Sequence, residues 1–339
     1  MRAWPHIFVQ SPVMSSSLIQ ALVFNLRYEA RDIISVELRP LSQEAGFPPA
    51  EAGSHIDLHL GNGLIRSYSL TNSGESDRYV VAVLKDRRSR GGSLYVHEQV
   101  RVGQVISISS PRNNFQLDEA ASQNVLLAGG IGITPLYAML KRLRELGRRT
   151  HLIYCARSRS DAAFVEDIQA LVAASHDGAL SVHFHFDDEK GAAPDLVRLF
   201  SNFSAETHFY CCGPGPMLEA YEKACDKLGY AHVHMERFAA APELTDQVTD
   251  SAGYTVALKK SGKTVQVPPG TKLLDALLSA GCKVEFSCRE GLCGACETRV
   301  LSGEVEHRDS ILTKAERAAN KSMMICVSGC RSGTLVLDA

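Results

Sequence analysis

The sequence predicts a multidomain chain of mixed β and α/β class, with three units in succession. Three observations carry this reading. Short alternating strands with close turns fill the region from about Leu18 to Leu117. Strand–turn–helix units with glycine-rich turns follow to Phe238. The last part holds Cys288, Cys293 and Cys296 in a Cys-x4-Cys-x2-Cys loop, with a fourth cysteine, Cys326, well downstream. A chain of 339 residues, 45% hydrophobic and 22% charged, is long enough for two or three separate cores. The expected divisions are an antiparallel β-barrel over 16–117, an α/β unit over 118–238, a linker over 239–251 and a cysteine-loop domain over 252–339.

In the first unit, Ile56, Leu58 and Leu60 alternate with His55, Asp57 and His59, and Asn62-Gly63 is a strong hairpin turn. Tyr79–Leu84 and Val105–Ile108 are further β-rich runs. Several short strands at close spacing suggest a small barrel. Arg66-Ser67-Tyr68-Ser69 follows the hairpin, and on a strand Arg66 and Tyr68 share a face. That face suits a phosphate and a stacked heterocycle, although an exposed Arg–Tyr pair is also ordinary surface. Arg90-Gly91-Gly92-Ser93 is a second phosphate cradle of the kind a helix start provides.

The middle unit opens on a strand, Val125–Ala128, and the turn Gly129-Gly130-Ile131-Gly132-Ile133-Thr134-Pro135. Thr134 suits an N-cap, Pro135 a first helical residue and Gly147 a stop. Leu136, Met139, Leu140 and Leu143 share one face of the helix between. A glycine-rich turn feeding a helix is a pyrophosphate site, or simply a tight turn; Pro135 occupies the last glycine's place in the dinucleotide fingerprint. A second strand, Thr207–Cys212, runs into Cys212-Gly213-Pro214-Gly215-Pro216 and another helix. Two such turns at the ends of parallel strands mark where an α/β sheet binds ligands. Arg157 and Arg159 follow the strand ending at Ala156, where arginine suits a 2′-phosphate or is plain solvated surface.

After the linker, Tyr254–Lys260 and Lys263–Val267 form a hairpin, Thr271–Ala280 a helix, and Thr313-x-x-Glu316 a capping box before a strand bearing Cys326. The cysteine spacing is that of a plant-type [2Fe–2S] cluster. With ten cysteines in 339 residues, two more at those offsets arise by chance about once in a thousand. A zinc site would more often show paired Cys-x-x-Cys. Gly291 and Gly294 are expected to let backbone approach the inorganic sulfurs. Cys155, Cys211, Cys225 and Cys282 have no partner spacing and are read as core residues.

Composition excludes several classes. A net charge of -2 gives no support for nucleic-acid binding. The uncharged run Ala120–Leu140 is broken by Gly129, Gly130, Gly132 and Pro135, so no membrane span is expected. Pro5 and Pro12 interrupt Ile7-Phe8-Val9, so the first residues read as a frayed extension and not a signal peptide. Ten cysteines in a chain this long do not make a disulfide scaffold, which suits a reducing cytoplasm.

Taken in order, Arg-x-Tyr-Ser, Gly-Gly-Ile-Gly-Ile-Thr-Pro, Cys-Gly-Pro and the four cysteines resemble phthalate dioxygenase reductase and its relatives, the single-chain reductases of Rieske oxygenases. The resemblance runs from about Leu18 to the C-terminus. It implies a flavin-binding barrel, a Rossmann-like nucleotide domain and a C-terminal β-grasp ferredoxin domain. It places FMN on Arg66, Ser67, Tyr68 and Ser69, with Ser69 near N5 and Arg90-Gly91-Gly92-Ser93 as a second phosphate contact. NADH would lie on Gly130, Gly132, Thr134 and Pro135, with its nicotinamide beside Cys212, Gly213 and Pro214, and with Arg157 near the adenosine end. Phe238 resembles the family's aromatic residue near the flavin. Cys288, Cys293, Cys296 and Cys326 would hold the cluster. The implied activity is an NADH-dependent oxidoreductase, passing electrons through FMN and [2Fe–2S] to a terminal Rieske non-haem iron oxygenase. Tyr68, Ser69 and Cys212 are catalytic only as borders of the hydride path. A flavin links the two-electron chemistry of a nicotinamide to the one-electron chemistry of a cluster. Other readings are the same electron path serving a quaternary-amine oxygenase or a dehalogenase, and a redox sensor.

Overall fold

The computed structural model describes residues 18–42, 46–87, 89–175, 178–239 and 253–339, without the side chains of Lys314 and Ala315. The expected N-terminal extension and, apart from Ala239, the expected linker lie outside these residues.

The first unit is a six-stranded antiparallel sheet built from β1 (Ile19–Ala30), β2 (Ile33–Pro40), β3 (His55–His59), β4 (Ile65–Ser69), β5 (Tyr79–Leu84) and β6 (Val105–Ile108). Its order is β4-β3-β6-β1-β2-β5, and a bridge between Leu70 and Val81 draws the two edges together into a barrel. Helix α1 (Gly92–Gln99) starts at Gly91, whose φ of 93° is a left-handed value that favours glycine. The β3–β4 hairpin closes with Gly63 at φ 80° and the Leu64 N–H donating to Asn62 Oδ1.

The second unit is a five-stranded parallel sheet of β7 (Gln123–Gly129), β8 (Arg149–Ala156), β9 (Leu180–Phe186), β10 (His208–Cys212) and β11 (Val233–Glu236), in the order β11-β10-β7-β8-β9. Strands β8 and β9 extend it one way from β7, and β10 and β11 the other. The strand order therefore reverses between β7 and β10, the place where open α/β sheets bind ligands. Helices α2 (Ile133–Glu145), α3 (Val165–Ala173), α4 (Asp187–Lys190), α5 (Leu196–Phe200) and α6 (Gly215–Leu228) complete the unit. Leu136, Met139, Leu140 and Leu143 of α2 are fully buried, as the periodicity requires. The N-cap of α2 differs from expectation. It is Gly132, not Thr134, because a 3-10 turn over Gly130–Gly132 runs straight into the helix. Thr134 sits inside the first turn and its Oγ1 donates to the Ile131 carbonyl at 3.0 Å.

The third unit carries β12 (Tyr254–Leu258), β13 (Thr264–Val267), β14 (Glu297–Ser302), β15 (Val305–Glu306), β16 (Ser322–Met324), β17 (Gly329–Cys330) and β18 (Thr334–Leu337), with α7 (Leu273–Ser279) and α8 (Lys314–Ala319). Its main sheet is ordered β13-β12-β18-β14-β16, with β12 and β18 parallel and the other pairs antiparallel. The capping box forms at both ends: the Glu316 N–H donates to Thr313 Oγ1, and the Thr313 N–H to Glu316 Oε2 at 2.8 Å. Cys326 lies in the turn just past β16, not on a strand.

The cores divide unevenly. Ala30, Ile33, Ala82 and Phe115 of the first unit share one apolar core with Leu126, Ile133, Leu136 and Tyr210 of the second. The third unit has a core of its own, around Val256, Leu274, Leu277, Met323 and Leu335. No helix among the described residues is long and apolar enough to cross a membrane.

Candidate cofactor sites

Strand pairing decides which residues face which neighbour. In the β3–β4 hairpin His55 stands opposite Ser69, Asp57 opposite Ser67, Ile56 opposite Tyr68 and Leu58 opposite Arg66. One face therefore carries Ile56, Leu58, Tyr68 and Arg66 toward the barrel interior and α1. The other carries His55, Asp57, Ser67 and Ser69. Alternation alone would leave that second face in water, yet His55 and Asp57 are 4% and 2% exposed. The cysteine loop of the third unit covers it. Asn114 Nδ2 donates to the Cys293 carbonyl at 3.1 Å, and the His55 ring faces the same carbonyl. Arg90 pairs with Glu290 of the loop at 2.5 Å.

A cavity of about 290 Å³ opens where the three units meet. Arg66, Ser67, Tyr68, Ser69, Arg90 and Ser93 line it from the barrel. Ile131, Thr134, Glu236, Arg237 and Phe238 line it from the α/β unit, and Cys288, Glu290 and Leu292 from the cysteine loop. Burial pushes the Tyr68 phenol up to about 12, so this ring is neutral at working pH. Gly92 is pressed against Arg66; a Cβ there would come within 2.6 Å of its Cγ and Nε.

Glu236 is a site residue that sequence reasoning missed. Burial raises its carboxyl to about 8, against a smaller opposing effect from its hydrogen bond with Ser69. Its Oε2 is buried and has no partner in the fold, while the rest of the side chain borders the cavity. A proton held here at neutral pH is one hydrogen bond from Ser69. The available signal was weak: Glu236 is two residues before Phe238, so alternation puts both on one face of an extended chain.

Several expected residues do not line this cavity: Gly91, Gly92, Gly130, Gly132, Pro135, Arg157, Cys212, Gly213 and Pro214. Cys212 is fully buried at the carboxyl end of β10, and burial keeps its thiol neutral. The two glycine-rich turns are pressed together. A Cβ on Gly132 would fall 2.2 Å from the Cys212 carbonyl oxygen, and one on Gly129 within 2.7 Å of Met217 and Pro214. Arg157 is exposed beyond β8, and its carbonyl accepts from the Asp188 N–H at 3.0 Å.

The four cysteines come together as two pairs. The thiols of Cys288 and Cys293 lie against each other, as do those of Cys296 and Cys326. No group of three His, Cys, Asp or Glu that could share one ion occurs among the described residues. Two thiol pairs suit two irons bridged by sulfide better than a single tetrahedral zinc. Backbone also points at the sulfurs: the Glu290 N–H donates to Cys288 Sγ at 3.3 Å and the Cys288 N–H to Cys293 Sγ at 3.4 Å. The loop glycines answer demands visible in the fold. Gly291 and Gly294 have φ of 69° and 71°, and added Cβ atoms would strike Val327 and Asn114, each at 2.7 Å. The remaining cysteines, Cys155, Cys211, Cys225, Cys282 and Cys330, are buried, and all ten are free thiols.

This fold and these sites define a pyridine-nucleotide oxidoreductase with an iron–sulfur domain. A 2Fe-2S iron-sulfur cluster binding domain matches residues 256–331, and an oxidoreductase NAD-binding domain residues 126–223. The phenoxybenzoate dioxygenase subunit beta of Ectopseudomonas oleovorans is 44% identical over 92% of this chain and 95% of its own. The tetrachlorobenzoquinone reductase of Sphingobium chlorophenolicum is 45% identical over 95% and 98%. A vanillate O-demethylase oxidoreductase of Pseudomonas is 42% identical over 95% and 100%. The chain belongs to the family of oxygenase reductase components that includes phthalate dioxygenase reductase. The solved phthalate dioxygenase reductase, described as a modular structure for electron transfer from pyridine nucleotides to [2Fe–2S], is 35% identical with a TM-score of 0.66, over 95% of this chain and 98% of that one. An intact type IV self-sufficient cytochrome P450 monooxygenase gives 37% identity and a TM-score of 0.84 over 97% of this chain. This chain spans only 43% of that protein's length.

Proposed function

We propose that this protein takes electrons from NADH, passes them through FMN and a [2Fe–2S] cluster, and delivers them to a Rieske-type oxygenase acting on an aromatic substrate. One observation carries the reading: a single cavity is lined by the Arg-x-Tyr-Ser motif, the glycine-rich turn and the cysteine loop together. The divisions at 117/118 and across 239–251 belong to this reading, and a reducing cytoplasm suits ten cysteines with no disulfide among them.

When bound, a flavin accepts hydride and gives up electrons singly. The chain's own residues would bind, orient and move the proton. Arg66 and Arg90 hold the flavin phosphate, helped by Gly91, Gly92 and Ser93 at the start of α1. Tyr68, Phe238, Ser67 and Ser69 line the cavity that would receive the ring. Glu236 holds a proton at neutral pH beside the Ser69 hydroxyl, through which it would exchange that proton. Gly130, Gly132, Thr134 and Pro135 form the α2 terminus that receives the NADH pyrophosphate. Cys212, Gly213 and Pro214 shape the nicotinamide side; the neutral Cys212 thiol takes no part in proton transfer. Thiolates of Cys288 and Cys293 would hold one iron, and those of Cys296 and Cys326 the other.

NADH is favoured over NADPH because Asp187 and Asp188 follow β9 beside Arg157, and carboxylates there repel a 2′-phosphate. Arg157→Ala should change kcat/KM for NADH less than about twofold, as expected of an exposed charge. A strong NADPH preference lost in that variant would reverse the assignment.

The direct test is cofactor extraction from the purified chain. One FMN and one [2Fe–2S] per chain, both reduced by NADH, is the expected result; FAD, or a zinc ion in place of the cluster, would sink the reading. A second acceptor class is favoured by the 45% identity to a tetrachlorobenzoquinone reductase. Turnover of a chlorinated quinone by the chain alone, faster than transfer to any oxygenase, would select it.

A further inference from the structure

The outward face of β3 holds an ion pair that the electron path described above does not use. Asp57 is 2% exposed and accepts from Arg112 Nη2 at 2.7 Å and from Ser67 Oγ at 2.5 Å. Arg112 is held in place by paired backbone hydrogen bonds with His55, at 2.8 and 3.0 Å. Burial alone would raise the Asp57 pKa, but Arg112 and the Ser67 hydroxyl outweigh it and leave the carboxyl below its ordinary value. It is therefore a buried, ionised carboxylate. Across the seam lies Ser287, the residue before Cys288, whose buried hydroxyl faces this carboxylate without a hydrogen bond in the fold. The cysteine loop covers this face, with the Cys293 carbonyl accepting from Asn114 Nδ2 at 3.1 Å. Placing an electron on the four-cysteine site adds negative charge beside Asp57, so the carboxylate opposes that step.

We propose that Asp57 is a positioning residue for electron flow, whose buried negative charge lowers the reduction potential of the cluster held by Cys288, Cys293, Cys296 and Cys326; the inference rests on the proposed electron path. The step it biases is the transfer of one electron, with no proton, from reduced flavin to oxidised cluster. Asp57 makes the cluster a poorer acceptor and a better donor, favouring release to the partner. A unit charge in a partly desolvated seam changes such an equilibrium by on the order of tenfold.

The test is a redox titration of the holoprotein, with the reduced cluster read by electron paramagnetic resonance. In Asp57→Asn the reduced-to-oxidised ratio at a fixed ambient potential should rise about tenfold, equivalent to about 59 mV for a one-electron couple. Asp57→Glu, which keeps the charge, should stay within about twofold of wild type. Arg112→Gln, measured at pH 8 with the carboxylate unscreened, should shift the ratio the opposite way. Turnover of NADH with ferricyanide should be preserved. A ratio in Asp57→Asn that stays within twofold or falls would overturn the inference. If that variant loads no cluster, Arg112→Gln decides, and a rise there overturns it. A wild-type chain without a cluster would instead overturn the electron path, and the inference with it.

Discussion

Asn114 and Phe115 are neighbours in the chain and face two different seams. Phe115 is buried in the core shared by the barrel and the α/β unit, edge-on to Tyr210 at 5.9 Å between ring centroids. Asn114 turns to the cysteine loop and meets it through one hydrogen bond. The first seam is apolar and continuous; the Arg31 N–H donating to the Ser160 carbonyl ties its margin. The second is polar, made from Asn114, the Arg90–Glu290 pair and the Asp57 face. Apolar contact sums over area and holds two units as one body. A few polar contacts set position at little net energy, because each replaces bonds to water. On the proposed path, hydride transfer would be housed in the apolar joint and onward electron transfer in the polar one.

The difference between the seams breaks most severely at the cluster. Cys293→Ala removes one of four thiolates, and a methyl group cannot ligate iron. Oxygenase-coupled turnover should fall by more than about a hundredfold, while ferricyanide reduction by NADH persists, both read in steady-state assays. Near-normal oxygenase turnover would show that electrons leave by another route. Phe115→Ala attacks the apolar seam and should cost about 3–5 kcal/mol, seen in denaturant unfolding of the flavin-binding and nucleotide-binding units together. Unfolding of one unit well before the other would contradict a shared core.

Glu236→Gln tests the buried proton inside the rigid joint. The native carboxyl titrates at about 8, above its ordinary 4.5, so its stabilising protonated state is fully present below pH 4.5 and lost as pH rises through 8. The wild type should lose stability relative to the Glu236→Gln variant across that window, by at most about 1.4 kcal/mol per pH unit. Parallel thermal-melt profiles of the two proteins from pH 5 to 8 would remove the assignment. Asn114→Ala is the mildest change. It should cost about 1 kcal/mol or less in global stability, yet slow flavin-to-cluster transfer severalfold in stopped flow, with flavin bleaching by NADH unaltered. If both phases slowed equally, the polar seam would have no separate orienting role.

Features set by neighbours in sequence were legible in advance. The cysteine spacing, the Thr313–Glu316 capping box and the apolar face of α2 each depend on offsets of a few residues within one element. The two glycine-rich turns were legible as turns. Their pressing together was not, since Gly132 is kept small by the Cys212 carbonyl, which arrives from a distant strand. The N-cap of α2 was misplaced for a local reason: Thr134 offered a good side chain, but the 3-10 turn had already supplied a helical entry at Gly132.

His55, Asp57 and Glu236 mark the limit of such reading. In a single strand, polar residues alternating with apolar ones read as a solvated face, and nothing local distinguishes a face that another unit will cover. By itself the sequence determined the fold class, the presence of an iron–sulfur domain and the two turns, because short-range periodicity and cysteine spacing encode them. The tertiary structure alone decided that one cavity serves all three units, that Glu236 keeps a proton beside Ser69, and that Asp57 is buried against the cysteine loop. Burial and charge proximity arise from contacts between residues far apart in the chain, and these are what shift a pKa or a potential.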